Sequence, residues 1–152
     1  MVVDLKNLDR WAAVTAQRIA QDNPEPDKLE TWITKALGVL QSQGIYAAML
    51  YLYANENSHT QKIRKELWDL LGKIESVGIS WKDEEGKLIK RPEVNAEDKE
   101  KSNNVLKFFS DAVASELETL LLVRDLYEQT LIYARYHAKA EENRSKQEKS
   151  KT

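Results

Sequence analysis

Apolar residues recur along this chain at helical spacing. Leu5, Leu8, Ala12, Thr15 and Ile19 share one face, flanked by Trp11 and Ala16, so a first helix is expected over 4–22, stopping before Asn23-Pro24. Leu29, Ile33, Ala36, Leu37 and Leu40 predict a second over 27–42, with Asp27 as its N-cap and a stop at Gln41-Ser42-Gln43-Gly44. Ile45–Ala54 follows almost without a loop and carries no charge, in a chain that is 32% Asp, Glu, Lys and Arg. Its Ala, Met and Leu favour helix over strand, and it falls well short of the roughly 20 apolar residues a membrane span needs. A helix over 44–54, buried on nearly every side, is therefore expected to be the piece around which the others pack.

Ser58-His59-Thr60-Gln61 has the form of a capping box, in which the serine and the glutamine each satisfy an amide left free at a helix start. The helix it opens, 59–77, carries Ile63, Leu67, Leu70, Leu71 and Ile74 on one face and Lys62, Lys65, Glu66, Asp69 and Lys73 on the other; Trp68 belongs to neither. From Gly78 the pattern changes. Residues 79–82 and 87–90 flank Asp83-Glu84-Glu85-Gly86, which fits a short hairpin over 79–90 or an ordered loop.

A fifth helix over 96–114, opened by Asn95-Ala96-Glu97-Asp98, aligns Val105, Phe109, Ala112 and Val113. The sixth, 116–142, either starts at a cap within Ser115-Glu116-Leu117-Glu118 or continues the fifth. It carries two stripes, one of Leu120, Val123, Tyr127, Leu131, Ala134 and Ala138, the other of Leu122, Leu126 and Tyr133, and so is expected to touch neighbours on two sides. Arg124, Asp125 and Glu128 interrupt the run and would be costly in hydrocarbon, so it is not read as a membrane span. Residues 143–152 lack apolar side chains and are expected to form a basic, disordered tail.

The predicted fold class is all-α: one helical domain over 1–142, a bundle of about six helices with the short hairpin at 79–90. At 152 residues and 41% hydrophobic, the chain can bury one real core. With no cysteine it offers no disulfide, thiolate metal site or thiol nucleophile. Met1–Lys6 lacks the long apolar core of a signal peptide, so the cytoplasm is the expected location.

Charge limits the partners. Net charge is -2, so no global field draws the protein onto nucleic acid, and any such contact must be local. Residues 135–152 hold six basic and three acidic groups, against two and five in 102–134, which makes the C-terminal end the basic end. Glycines at 38, 44, 72, 78 and 86 form no phosphate-cradling loop. His59 and His137 read as surface residues, and Asp83-Glu84-Glu85 as a solvated turn, because carboxylates adjacent in sequence diverge unless the backbone curls them around an ion. No metal, cofactor or catalytic set is expected: the chain does not read as an enzyme.

Two places carry binding chemistry. Arg64 and Trp68 stand one turn apart, with Lys62 and Lys65 nearby, and a cation beside an exposed indole suits both a phosphate and a stacked base. Equally, Trp68 fills a gap beside the fifth helix and the charges are solvated. Arg135 and Lys139 repeat the one-turn spacing, followed by Arg144 and Lys146, although a helix C-terminus favours cations whatever its function. The residues alone leave open a nucleic-acid-contacting subunit and a helical protein-interaction module.

Three blocks carry a family resemblance. Lys35-Ala36-Leu37-Gly38-Val39-Leu40-Gln41-Ser42-Gln43-Gly44-Ile45, followed by Met49-Leu50-Tyr51-Leu52, resembles a pattern in the small subunit of the type III-B CRISPR effector, the Cmr complex, where a lysine and an apolar helix run into a glycine-apolar pair. Tyr133-Ala134-Arg135-Tyr136-His137-Ala138 is similar to that family's aromatic and basic signature near the end of the chain. Asp9-Arg10-Trp11-Ala12 sits where its first helix has a similar segment. Gly38 stands in place of an expected proline, and Tyr136 in place of a basic residue. The resemblance implies an all-α, non-catalytic subunit present in several copies. These would stack along the guide RNA–target RNA duplex, beside the backbone subunits that grip the guide and below a large polymerase-like subunit, with no cofactor and no membrane. It carries Lys35 and Arg135 over as basic contacts. Patch geometry adds Lys62, Arg64, Lys65, Trp68, Lys139 and Arg144.

Overall fold

The computed structural model describes residues 5–93 and 99–150. Helical spacing of apolar residues builds α1 (Leu5–Ala20), α2 (Pro26–Gln43), α3 (Ile45–Ala54), α4 (Ser58–Ser76), α5 (Lys99–Phe108) and α6 (Leu117–Ser150). The fold is an all-α bundle, and the helices fall where the stripes place them. The opening of the fifth at 95–98 lies outside the described residues. α6 lies along both α1 and α2, α3 folds back on α2 across Gly44, and α4 packs beneath α1 while touching α2 and α3. Val123, Leu126, Tyr127, Leu131, Ala134 and Ala138 of α6 are buried, and Leu122 and Tyr133 are packed partly against the core, so both of its stripes find neighbours.

Helix starts differ from the expected ones. α2 begins at Pro26, with Glu25 as a cap position that makes no side-chain bond, and Asp27 lies inside the first turn. The capping box of α4 is one residue earlier than expected: the Asn57 side chain accepts from the His59 and Thr60 amides, and Thr60 returns the bond to the Asn57 amide. The Ser115 hydroxyl is set between the Lys82 carbonyl at 2.7 Å and the Ala112 carbonyl at 3.0 Å, and so ties the hairpin to the bundle. Between α5 and α6 the chain is neither broken nor continuous. Phe109–Val113 winds as a π-helix, with the Ala114 amide on the Phe109 carbonyl at 2.9 Å, before a turn leads into α6.

One expectation about burial is corrected here. α3 is not enclosed: Ile45, Ala48, Met49 and Leu52 form a buried face, but Tyr46 and Leu50 are 43% and 46% exposed, because the described helices it touches cover only that face. At the C-terminal end of the described residues, α6 continues to Ser150. No described side chain beyond Ala138 is buried, and the extension is supported by the pairs Arg144–Glu141 and Lys146–Glu142, one turn apart.

The hairpin forms as an antiparallel pair, β1 (Trp81–Lys82) and β2 (Leu88–Ile89), with Trp81 opposite Ile89. Asp83 shapes its turn by accepting from the Glu85 and Lys87 amides, and Gly86 supplies the positive φ of 83°. Trp81 is buried edge-on against Phe108 at 5.3 Å and donates to Glu75 at 2.8 Å. Arg91 closes the loop: it donates to Glu75 at 2.6 Å and to the Trp68 carbonyl at 3.1 Å. Burial would raise the Glu75 carboxyl, but the bonds from Arg91 and Trp81 and the Arg91 charge together hold it below its ordinary value. Its stabilising share is therefore present above the ordinary carboxylate range and lost as pH falls through the lowered value. Arg91→Ala is expected to cost about 1–2 kcal/mol near neutrality, discounted for partial exposure. Urea midpoints at pH 7 and in acid check this, with the gap between wild type and variant narrowing in acid.

Candidate nucleic-acid interface

The eight residues singled out in the sequence do not form one patch. Lys35 is on α2, Lys62, Arg64, Lys65 and Trp68 on α4, and Arg135, Lys139 and Arg144 on α6. Two of them are core residues. Trp68 is only 8% exposed, its ring 5.5 Å from Phe108 and 5.9 Å from Phe109, with the Arg91 guanidinium 4.9 Å from its centroid. The indole thus fills the gap beside the fifth helix and is not available to stack on a base. Arg64, also 8% exposed, donates to Glu56 at 2.7 Å and lies 4.4 Å over the Tyr53 ring. It also reaches the Leu52 carbonyl at 3.4 Å. Burial pushes the Tyr53 hydroxyl above its ordinary value, while the Arg64 charge pulls it down. The physical reason for both corrections is that α4 has covered flanks on either side of its main stripe.

Lys62 is partly buried and its ammonium bonds the Gln21 carbonyl, which fastens the α1–α2 connection to α4. Arg135 donates to Glu30 at 3.3 Å across the α2–α6 seam, and Arg144 pairs with Glu141 at 3.0 Å on its own helix. Lys35 is exposed with its ammonium 5.0 Å from the Trp32 ring centroid. Lys65 is exposed and 3.9 Å from Glu66, too long for a strong pair, and Lys139 is exposed. Three cations, Lys35, Lys65 and Lys139, therefore keep their ammonium groups most accessible to a phosphate.

His59 is buried rather than at the surface. It lies in the first turn of α4 with Nδ1 3.3 Å from the Asn23 amide and Nε2 3.6 Å from Glu25, so it also fixes the α1–α2 connection. Lys28, by hydrogen bond and charge, holds the Glu25 carboxyl below its ordinary value, with a smaller contribution from His59. His137 is exposed on α6. Among the described residues no three His, Asp or Glu side chains are grouped to hold a metal ion, and no helix is long and apolar enough to cross a membrane. Glu84 and Glu85 are exposed in the hairpin turn.

Three cations that the sequence did not offer as contacts, Arg10, Arg18 and Lys73, line a groove between α1 and α4. Their signal was half visible: Arg10, Val14 and Arg18 recur at i, i+4 and i+8 along α1, but nothing local says that α4 is opposite. The blocks that carry the resemblance do meet. The Tyr133 hydroxyl donates to Asp9 at 2.5 Å, joining the α6 block to the α1 block, and α6 runs along α2, which holds the block beginning at Lys35. Neither a protein-family model, nor a curated protein, nor a solved structure matches this chain.

Proposed function

We propose that this protein is a non-catalytic small subunit of a type III-B CRISPR RNA-guided, RNA-targeting effector complex. It sits among copies of itself and the backbone and large subunits, and touches the guide–target duplex through local cations. The observation that supports the reading is that α6 brings the 133–138 block to the 9–12 block, with Tyr133 bonded to Asp9 124 positions away, and runs along α2, where Arg135 reaches Glu30 just ahead of the block that begins at Lys35. RNA contact rests on Lys35, Lys65 and Lys139, which neutralise phosphates and position the duplex while base pairing reads sequence.

In the reconstituted complex, the triple variant Lys35→Glu, Lys65→Glu, Lys139→Glu is expected to keep its fold, at about 0.5 kcal/mol or less per exposed site. Affinity for target RNA is expected to fall about tenfold, and the slope of log affinity on log salt to flatten by about 0.7–0.9 per lost phosphate contact. A helical protein-interaction module that touches only other subunits is the second reading, favoured by the burial of Arg64 and Trp68 and by the ion pairs on Arg135 and Arg144. Unchanged affinity and salt slope in a complex that still assembles would select it.

A further inference from the structure

None of the three accessible lysines lines the groove of about 230 Å³ between α1 and α4, although Lys65 borders it beside Glu66. Its first wall is the line Arg10, Val14, Arg18 along α1, and its second is Glu66, Asp69 and Lys73, at i, i+3 and i+7 along α4. The two helices run antiparallel: the bond from Lys62 to the Gln21 carbonyl sets the start of α4 beside the end of α1. Arg18 therefore lies toward Glu66, and Arg10 toward Lys73. Between the walls the floor is apolar, with Trp11 partly covered and Val14 38% exposed.

The charges on these walls are not used within the fold. Among the described residues, Arg10, Arg18, Asp69 and Lys73 have no opposite charge within 4.0 Å, and Glu66 reaches only Lys65 on its own helix, at 3.9 Å. Arg18 thus stands across the groove from the Glu66 and Asp69 carboxylates without pairing, over an apolar strip, while Arg10 and Lys73 bring two positive charges together at its other end. The volume lies below the roughly 300–1,000 Å³ of small-molecule pockets and suits inserted side chains better than a whole ligand.

We propose that this groove docks an amphipathic helix of a partner protein. Such a helix sets an apolar side chain against Trp11 and Val14, carboxylates against Arg10 and Arg18, and an ammonium or guanidinium group against Glu66 and Asp69. Charge complementarity selects this occupant. A nucleic-acid strand satisfies the arginines and Lys73 but brings phosphates against Glu66 and Asp69, and a helix of one sign meets the same conflict on one wall. A helix with an acidic flank along Arg10 and Arg18, and on its other flank cations at Glu66 and Asp69 followed by a carboxylate at Lys73, satisfies both walls at once. The site stands whether or not the lysines described above touch RNA.

Three helical peptides with one leucine stripe test it: one with Glu on one flank and Lys on the other, one with Glu on both, and one with Lys on both. A single-stranded oligouridylate is the fourth probe. Titrated into the isotope-labelled full chain, the mixed peptide is expected to shift the amide resonances of residues 10–18 and 66–73. It is expected to bind about tenfold more tightly than either uniform peptide. In Arg10→Glu/Arg18→Glu the walls become mainly acidic and preference passes to the all-Lys peptide; in Glu66→Lys/Asp69→Lys it passes to the all-Glu peptide. Either variant decides the matter should the other fail to fold. Groove resonances that ignore the mixed peptide at millimolar concentration overturn the proposal, as does a ranking unchanged by the charge variants. Oligouridylate shifting these resonances at lower concentration than the mixed peptide makes the groove a nucleic-acid site instead.

Discussion

Trp68→Ala is expected to destabilise the protein by about 3–5 kcal/mol, a large part of the roughly 5–15 kcal/mol that holds an ordinary domain together. The indole is 8% exposed and stands edge-on to Phe108, beside Phe109 and under Arg91. Phe109 is itself fully buried and in ring contact with Tyr127, so the walls around the missing ring are braced from behind and cannot close the void. Arg91 would also lose the ring beneath its guanidinium, which loosens the hairpin exit. Chemical denaturation of the isolated protein measures the effect. A variant with an unchanged midpoint but weakened RNA binding in the complex would put the indole at the surface after all.

Arg64→Glu is expected to have an effect of similar size, about 3–5 kcal/mol, through charge rather than volume. The guanidinium occupies the C-terminal end of α3, where it bonds the Leu52 carbonyl and Glu56 and covers Tyr53. Helix ends of this kind present unpaired carbonyls and favour a cation. A carboxylate at the same point loses the bond to the Leu52 carbonyl, is itself largely withdrawn from water, and repels Glu56 until that side chain turns to solvent. Arg64→Ala is milder, about 1–2 kcal/mol, since the side chain of Glu56 is 51% exposed and turns to solvent when its partner is removed. Denaturation midpoints in the order wild type, Ala, Glu are the expected result; equal midpoints for Ala and Glu would mean that position 64 is not buried against α3.

Both predictions concern residues that the sequence offered as an RNA face, and the reason for the difference is physical. A stripe such as Ile63, Leu67, Leu70, Leu71 and Ile74 marks the face of α4 that must be covered, because leaving several aliphatic side chains in water is costly. Arg64 and Trp68 lie on the flank of that stripe, where an amphipathic side chain is tolerated both in water and under a neighbour. Only the arrival of α3, Phe108 and Phe109 from elsewhere in the chain settles which. The same holds for His59, buried by a connection some 36 residues earlier, and for Tyr46 and Leu50, left uncovered because no helix packs on that side of α3.

What the sequence by itself determined is therefore the local and periodic part: the all-α class, the places of the helices and the break at Gly44, while a hairpin or loop at 79–90 and a break or continuity between the last two helices stayed open. Backbone hydrogen bonding and apolar spacing repeat every three to four residues and are legible in the chain, whereas the capping residues of α2 and α4 are displaced by one or two positions from those expected. Tertiary structure alone decided which cations remain free. Lys62 is drawn to Gln21 and Arg135 to Glu30 by partners 41 and 105 positions away, while Arg10 and Arg18 share a groove with Glu66 and Asp69 without pairing. A charge's availability depends on the nearest opposite charge in space, and helical periodicity carries no record of that distance.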